Sequence, residues 1–293
     1  MNLIVLAAQA LGWAGCLTLA SRSSDPWALA ALMVFFCLMM QGVFSMMHEC
    51  FHGHGHRSVR INYLMMWLSS TMFGASATFI HINHLGHHRR NRSPAERADY
   101  FDAQESRLRK TVAYYAAILG GLWLGSALGS VLLALAPPAW TRWLARAGER
   151  NTYAAAFAEF RAADFLRIRL EVAAAIGFWV LIGLALGWRP AALLLMYGAF
   201  AFSWSSLQWV YHMRTPLDLI EGAYNLRLPA PIRWLFLNFN YNLTHHRAPQ
   251  LRWQSLYGAS DADETRPLWF SYLTVFLPPE PLPDPAALRK TYF

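Results

Sequence analysis

The sequence predicts an all-α membrane protein: about four transmembrane helices, joined by re-entrant or interfacial helices, under a cytoplasmic histidine-rich cap able to hold two metals. Three observations carry this. The chain is 56% hydrophobic with a mean hydropathy of +0.23, too apolar for an ordinary soluble domain. Six runs of 17 to 23 residues are almost free of charge, the length a bilayer requires. Eight of the 11 histidines gather in three short clusters and at one further position, each following the end of an apolar run or a short polar stretch after it. With 293 residues and burial supplied largely by lipid, one membrane-embedded domain over 1–293 is expected.

Taken in order, residues 2–20 form the first run and close at the polar turn Ser21–Pro26. The second, 27–47, leads into His48; the third, 62–80, leads into His81. The fourth, 113–135, is rich in glycine. The fifth and sixth, 172–188 and 191–211, are separated only by Trp188-Arg-Pro190, and the last delivers His212. The N-terminus lacks the basic start of a signal peptide, so its apolar stretch reads as a retained span.

Parity decides which runs cross. Histidines that share one centre must lie on one side of the membrane, so an even number of crossings must separate successive clusters. The 62–80 run stands alone between the first two clusters and should therefore dip in and return, with Gly74 and Ser69-Ser-Thr71 at the break. By the same logic 113–135 should be re-entrant or interfacial, aided by Gly120-Gly121 and by Gly125 to Gly129. That leaves true spans at 2–20, 27–47, 172–188 and 191–211. Arg142, Arg146, Arg150, Arg161, Arg167 and Arg169 then face the cytoplasm, as the positive-inside rule asks. A six-span arrangement would strand residues 81–88 across the bilayer from the other clusters.

The clusters themselves have metal-ligand spacing. His48-Glu-Cys-Phe-His52 places two imidazoles four residues apart on a helix, and His84-Leu-Gly-His87-His88 places three within two turns. Asn242-Leu-Thr-His245-His246 repeats that spacing with asparagine first. On this reading His84, His87 and His88 share one face, and His81 stands one turn earlier as ligand or as support for one. With His212 the set offers eight imidazoles, more than one tetrahedral zinc accepts, so two metals are expected. Imidazole suits zinc, copper, iron and nickel alike, and composition does not choose among them. Cys16, Cys37 and Cys50 make no CxxC pair, which argues against a disulfide framework or thiolate site.

HECFH, HLGHH and NxxHH, in that order on a hydrophobic scaffold, resemble the three histidine boxes of the integral-membrane fatty-acid desaturase and hydroxylase superfamily, over residues 27–255. The resemblance implies a non-haem di-iron centre that uses O2 to remove hydrogen from an unactivated C–H bond of a fatty-acyl or lipid-like chain. It implies His48, His52, His84, His87, His88, His212, Asn242, His245 and His246 as metal positions. It also implies electrons from a separate ferredoxin- or cytochrome b5-like protein, since no nucleotide or haem motif is present to hold a donor. A bacterial inner-membrane location with a cytoplasmic active site follows. Desaturation is preferred to hydroxylation, with ketolase and terminal-alkene-forming relatives as alternatives. Most relatives have histidine where Asn242 stands, so that position either alters O2 chemistry or tolerates a lost ligand.

Several residues near the boxes carry a second reading. Glu49 points about 100° away from His48 on a helix and reads as support for a ligand, while Asp99, Asp102, Asp218 and Glu221 could orient imidazoles or be solvated charges. Arg89, Arg90, Arg92, Arg247 and Arg252 could grip a headgroup or only fix topology, and His54 and His56 read as interfacial. The net charge of +8 is assigned to membrane orientation rather than nucleic acid, since no basic-aromatic RNA motif accompanies it. A metal transporter would place its ligands at mid-membrane, and a haem cytochrome would need only two axial histidines per haem.

Overall fold

The computed structural model describes residues 1–137, 139–140, 159–288 and 290. The described residues are mostly helical. Four long helices, α1 (Asn2–Arg22), α2 (Pro26–Phe51), α7 (Ala162–Leu186) and α8 (Pro190–Val210), coincide with the four expected spans. Asp25 starts α2 by accepting a hydrogen bond from the Ala28 amide at 2.8 Å, with Pro26 in the first helical position. The turns α1–α2 and α7–α8 lie together: Trp188 Nε1 donates to Thr18 Oγ1 at 2.9 Å, and the Arg189 amide to Ser21 Oγ at 3.0 Å. Those contacts define the end of the bundle opposite the histidines.

The 62–80 run is broken as parity requires. Helix α3 (Val59–Phe73) stops at Gly74, whose φ of 95° places it in the left-handed region that favours glycine. Helix α4 (Ala77–Arg90) then starts from Ser76, whose hydroxyl accepts from the Phe79 amide. At 15 residues α3 is too short to cross, against about 20 needed. It runs back along α2, with Asn62 Nδ2 on the Cys50 carbonyl and Phe73 against Phe44, and α4 returns to bring His84 beside His52.

The glycine-rich run also turns back, although Arg107–Leu135 as a whole is long and apolar enough to span, making five such helices among the described residues. Helix α5 (Arg107–Ala116) passes through a π-turn at Ala117–Gly121 into α6 (Leu122–Leu135), and Gly120 carries φ 126° at the kink. On the α5 side, Tyr114 Oη lies 3.0 Å from Met213 Sδ, just beyond His212. The kink rests on Ala201 and Ser205 midway along α8, and Trp123 Nε1 reaches the Phe73 carbonyl. On the α6 side, Ser130 Oγ accepts from the Ser76 amide, and Arg169 near the start of α7 donates to the carbonyls of Ala134 and Ala136. Both arms therefore rise toward the histidine end. Arg161, Arg167 and Arg169 also lie toward that end, while Arg142, Arg146 and Arg150 lie outside the described residues.

Aromatic side chains fill the interior. Phe36, Phe44, Phe73, Tyr197, Phe200 and Trp204 form edge-to-face and tilted contacts between α2, α3 and α8, each pair contributing about 0.5–1.5 kcal/mol beyond burial. Leu11, Leu19, Ile176, Val180, Leu181, Leu184 and Leu194 stay exposed on the outer surface, a belt suited to hydrocarbon. Beyond α8 the chain forms short pieces: α9 (Ala230–Leu235), α10 (Asn242–Arg247), α11 (Trp253–Ala259) and α12 (Leu268–Thr274). Two parallel two-residue or three-residue strand pairs tie them down, Tyr100–Phe101 with Glu280–Pro281 and Asn225–Arg227 with Thr265–Pro267. Asn2 joins this end by donating to the His54 and Gly55 carbonyls.

Candidate metal centre

All eight clustered histidines meet at one end of the bundle, in two groups. His48, His52, His84, His88 and His245 form one; His87, His212 and His246 form the other. Within each group one nitrogen per ring lies within 4.8 Å of every other, close enough to hold a metal ion. His48 and His52 come from the end of α2, His84, His87 and His88 from α4, His212 from the turn after α8, and His245 and His246 from α10.

The division is five and three rather than four and four, and helix phase explains it. Residues four apart stay within about 40° of one another, whereas neighbours differ by about 100°. His84 and His88 therefore face one group while His87 faces the other, and His245 and His246 split likewise. The expectation that His84, His87 and His88 share one face is corrected accordingly. The rings touch across the divide, with His88 and His246 centroids 4.7 Å apart.

In the larger group the Nε2 atoms converge. The separations are 2.9 Å for His52–His84, and 3.1 Å for His84–His88, His88–His245 and His245–His48. Burial, and then neighbouring rings, keep these imidazoles neutral. His52 is pulled down to about 4 by burial first, then by His54 and His81, and His88 to about 3 by burial, His87 and His52. His84, His212, His245 and His246 are held well below the usual histidine range for the same reasons. Neutral imidazole is the ligating form.

The smaller group is oriented from behind. His87 Nδ1 donates to Glu96 Oε2 at 2.6 Å, and His212 Nδ1 donates to the Gly222 carbonyl at 2.9 Å. Each bond fixes the tautomer that leaves Nε2 with its lone pair. Glu96 is in turn held by Arg90 Nε at 3.2 Å, and Arg89 and Arg90 both pair with Glu159.

Asn242 opens α10, buried, and its Oδ1 has no hydrogen-bond partner among the described residues. Asn238 and Asn240 donate through Nδ2 to the carbonyls of Trp253 and Leu226, and their Oδ1 atoms likewise lack a partner among the described residues. Asn238 lies outside α10, since Leu237 and Asn238 have φ of 50° and 54° and the helix starts only at Asn242. His81 belongs to neither group and stacks on Phe51 at 5.3 Å, a supporting position. His54 and His56 stand outside both groups as well.

Other acids do work not expected of them. Asp99, for which a solvated charge was one reading, is fully buried and takes two bonds from Arg92 and one from the Arg214 amide. Glu49 accepts from the Trp253 amide, Asp102 pairs with Arg97, and Asp218 caps its own loop. Arg247, next to His246, is clamped between Glu221 and Glu264. Arg89, Arg90, Arg92 and Arg247 are thus paired with carboxylates of the same chain, whereas Arg252 is exposed. Glu96 and the Gly222 carbonyl escaped the sequence reading: nothing in a charged loop distinguishes the one acid that reaches a histidine.

A helical membrane bundle that gathers eight histidines at one end defines an integral membrane protein of the histidine-box class. The family model for fatty acid desaturases matches residues 25–265, a stretch holding all eight histidines and Asn242, and the chain belongs to that family. It is thereby an oxidoreductase-type membrane enzyme. A search of curated proteins gives no match.

Proposed function

We propose that the protein is an O2-dependent di-iron oxidoreductase of the bacterial inner membrane, desaturating a fatty-acyl or lipid-like chain at its cytoplasmic face. The observation that carries this reading is the convergence of three box segments and His212 into two adjacent groups of imidazoles. The residues fit the metal pair by their chemistry. Five imidazoles in one group and three in the other, with no thiolate among them, form a nitrogen donor set that suits a pair of transition-metal ions, and five donors exceed the four of a structural zinc site. His48, His52, His84, His88 and His245 would hold one ion; His87, His212 and His246 the other, with the orphaned Asn242 Oδ1 as a weak oxygen donor nearby.

Two irons held there supply O2 activation and the removal of hydrogen from an unactivated C–H bond. The chain's own contribution is positional. Glu96 and the Gly222 carbonyl keep the Nδ1 protons of His87 and His212 on the far side of each ring. Phe44 and Phe239, with Phe239 5.0 Å from His48, wall off the bundle side of the cluster and keep water from it. Substrate enters from the bilayer, and electrons come from a separate ferredoxin- or cytochrome b5-like protein.

The test is expression in a bacterial host with mass-spectrometric comparison of membrane lipids and free acids, with and without air. New unsaturation in air alone is expected; His87→Ala and His246→Ala should abolish it while membrane insertion persists. Turnover retained in both variants, or product formed without O2, would contradict the assignment. An added oxygen instead of a lost hydrogen pair would move the protein to the hydroxylase or ketolase branch.

A further inference from the structure

One carboxylate lies where an apolar helix should not tolerate it. Glu171, ten residues into α7, is 3% exposed and has no cation against its oxygens among the described residues. Four donors surround it instead. Oε1 accepts from Tyr63 Oη and Thr78 Oγ1, both at 2.7 Å; Oε2 accepts from Ser76 Oγ at 2.6 Å and the Thr78 amide at 2.8 Å. A charge in a membrane-spanning helix is costly and persists where it has a task.

Three of those donors sit at the first turn of α4. A helix N-terminus presents unpaired amides and a partial positive charge, so an anion there is favoured. Helix α4 supplies ligand candidates to both histidine groups, His84 and His88 to one and His87 to the other. It is only 14 residues long, hangs from the left-handed turn at Gly74, and contains Gly86 between His84 and His87. From Thr78 to His84 is about 9 Å of helix, so a small shift at the first turn is passed rigidly to the ligands. A site of this kind tolerates about 0.5 Å of error.

We propose that Glu171 is the positioning residue of the second histidine box: its bonds to Ser76 and Thr78 set the height and rotation at which α4 delivers His84, His87 and His88. The inference rests on the di-metal reading above. Tyr63, by contrast, belongs to α3 and carries no ligand, so it anchors the same carboxylate without steering α4.

The test uses full-length protein in nanodiscs, stripped of metal and titrated anaerobically with ferrous iron against a chelator, with the melting temperature of each metal-free variant measured alongside. Glu171→Gln should weaken both iron affinities by about tenfold or more, as loss of supporting contacts around metal ligands does. Thr78→Val, which deletes one of the four bonds and leaves the Ser76 cap, should weaken both in the same direction. Tyr63→Phe should lower the melting temperature and leave both affinities as they are. Glu171→Gln with unchanged affinities, or Tyr63→Phe weakening iron as much as Glu171→Gln does, overturns the proposal. If Glu171→Gln fails to fold, Thr78→Val with wild-type affinities does so. Wild-type protein that takes up no iron would instead refute the di-metal reading itself.

Discussion

Glu96→Gln should weaken one of the two metal sites and spare the other. Glu96 touches a single histidine, through the 2.6 Å bond from His87 Nδ1, and both side chains are largely shielded at 26% and 21% exposure. Glutamine keeps the shape and an acceptor oxygen but loses the charge. A hydrogen bond to a charged group contributes about 1.5–3 kcal/mol against about 0.5–1.5 for a neutral one. The difference, about 1–1.5 kcal/mol, corresponds to about tenfold in affinity. The penalty falls on the metal-bound form, because the cation draws electron density from His87 and the carboxylate compensates that loss.

The expected isotherm with ferrous iron therefore has two steps, one unchanged and one about tenfold weaker. Anaerobic titration against a competing chelator resolves them, and the metal-free melting temperature separates affinity from folding. Glu96→Ala should widen the gap, since it also removes the bond to Arg90. Equal displacement of both steps would refute the division of the histidines into a five-ring and a three-ring group. Displacement of neither would refute the role given to Glu96.

Asp99→Asn strips the charge partner from the fully buried Arg92 and should cost about 3–5 kcal/mol of stability; a melting temperature close to wild type would contradict this. The metal-free protein should also be acid-sensitive. His52 and His88 titrate near 4 and 3 in the fold but near 6.5 when unfolded, so only the unfolded chain takes up protons between those values. Stability is then fully present above pH about 6.5 and falls as pH drops toward 4; a melting temperature flat from pH 7 to 5 would refute it. Asn242→His adds a nitrogen donor where an oxygen is orphaned and should tighten one iron site, read in the same titration; weaker binding at both would show that the pocket has no room for a ring.

The histidines and the re-entry of 62–80 were legible because both depend on strong local signals: ligand spacing along a helix, and a glycine where an apolar run must turn back. Assignment of each ring to its group was not, since it follows from where α4 and α10 cross α2, and one residue of helix phase separates His87 from His88. Acidic partners were the least legible. Glu96 and Glu159 meet the second box from 9 and 70 residues away from His87 and Arg89, and Asp99 looks in sequence like Asp102, although one is buried and the other is not. Glu171 carries a local signal of its own: it is an acid standing directly against the apolar run 172–188.

The distribution of these acids explains how a cap of short segments stays ordered. Only His48, His52 and His212 stand at or just beyond the ends of long helices whose aromatic packing fixes them. The other five arrive on α4 and α10, two pieces too short to hold their own conformation, since isolated helices of this length are marginal. Each is therefore clamped by carboxylates: α4 by Glu171 at its start and by Glu96 and Glu159 at its finish, α10 at its finish by Glu221 and Glu264 on Arg247. Exposed ion pairs contribute little to stability on their own. Here they restrict the rotation of two short rods that already carry converging lone pairs, an arrangement that repels itself until a cation enters. That makes order in the cap and metal binding two readings of one equilibrium, so that loosening a clamp should register first as lost affinity and only later as lost fold.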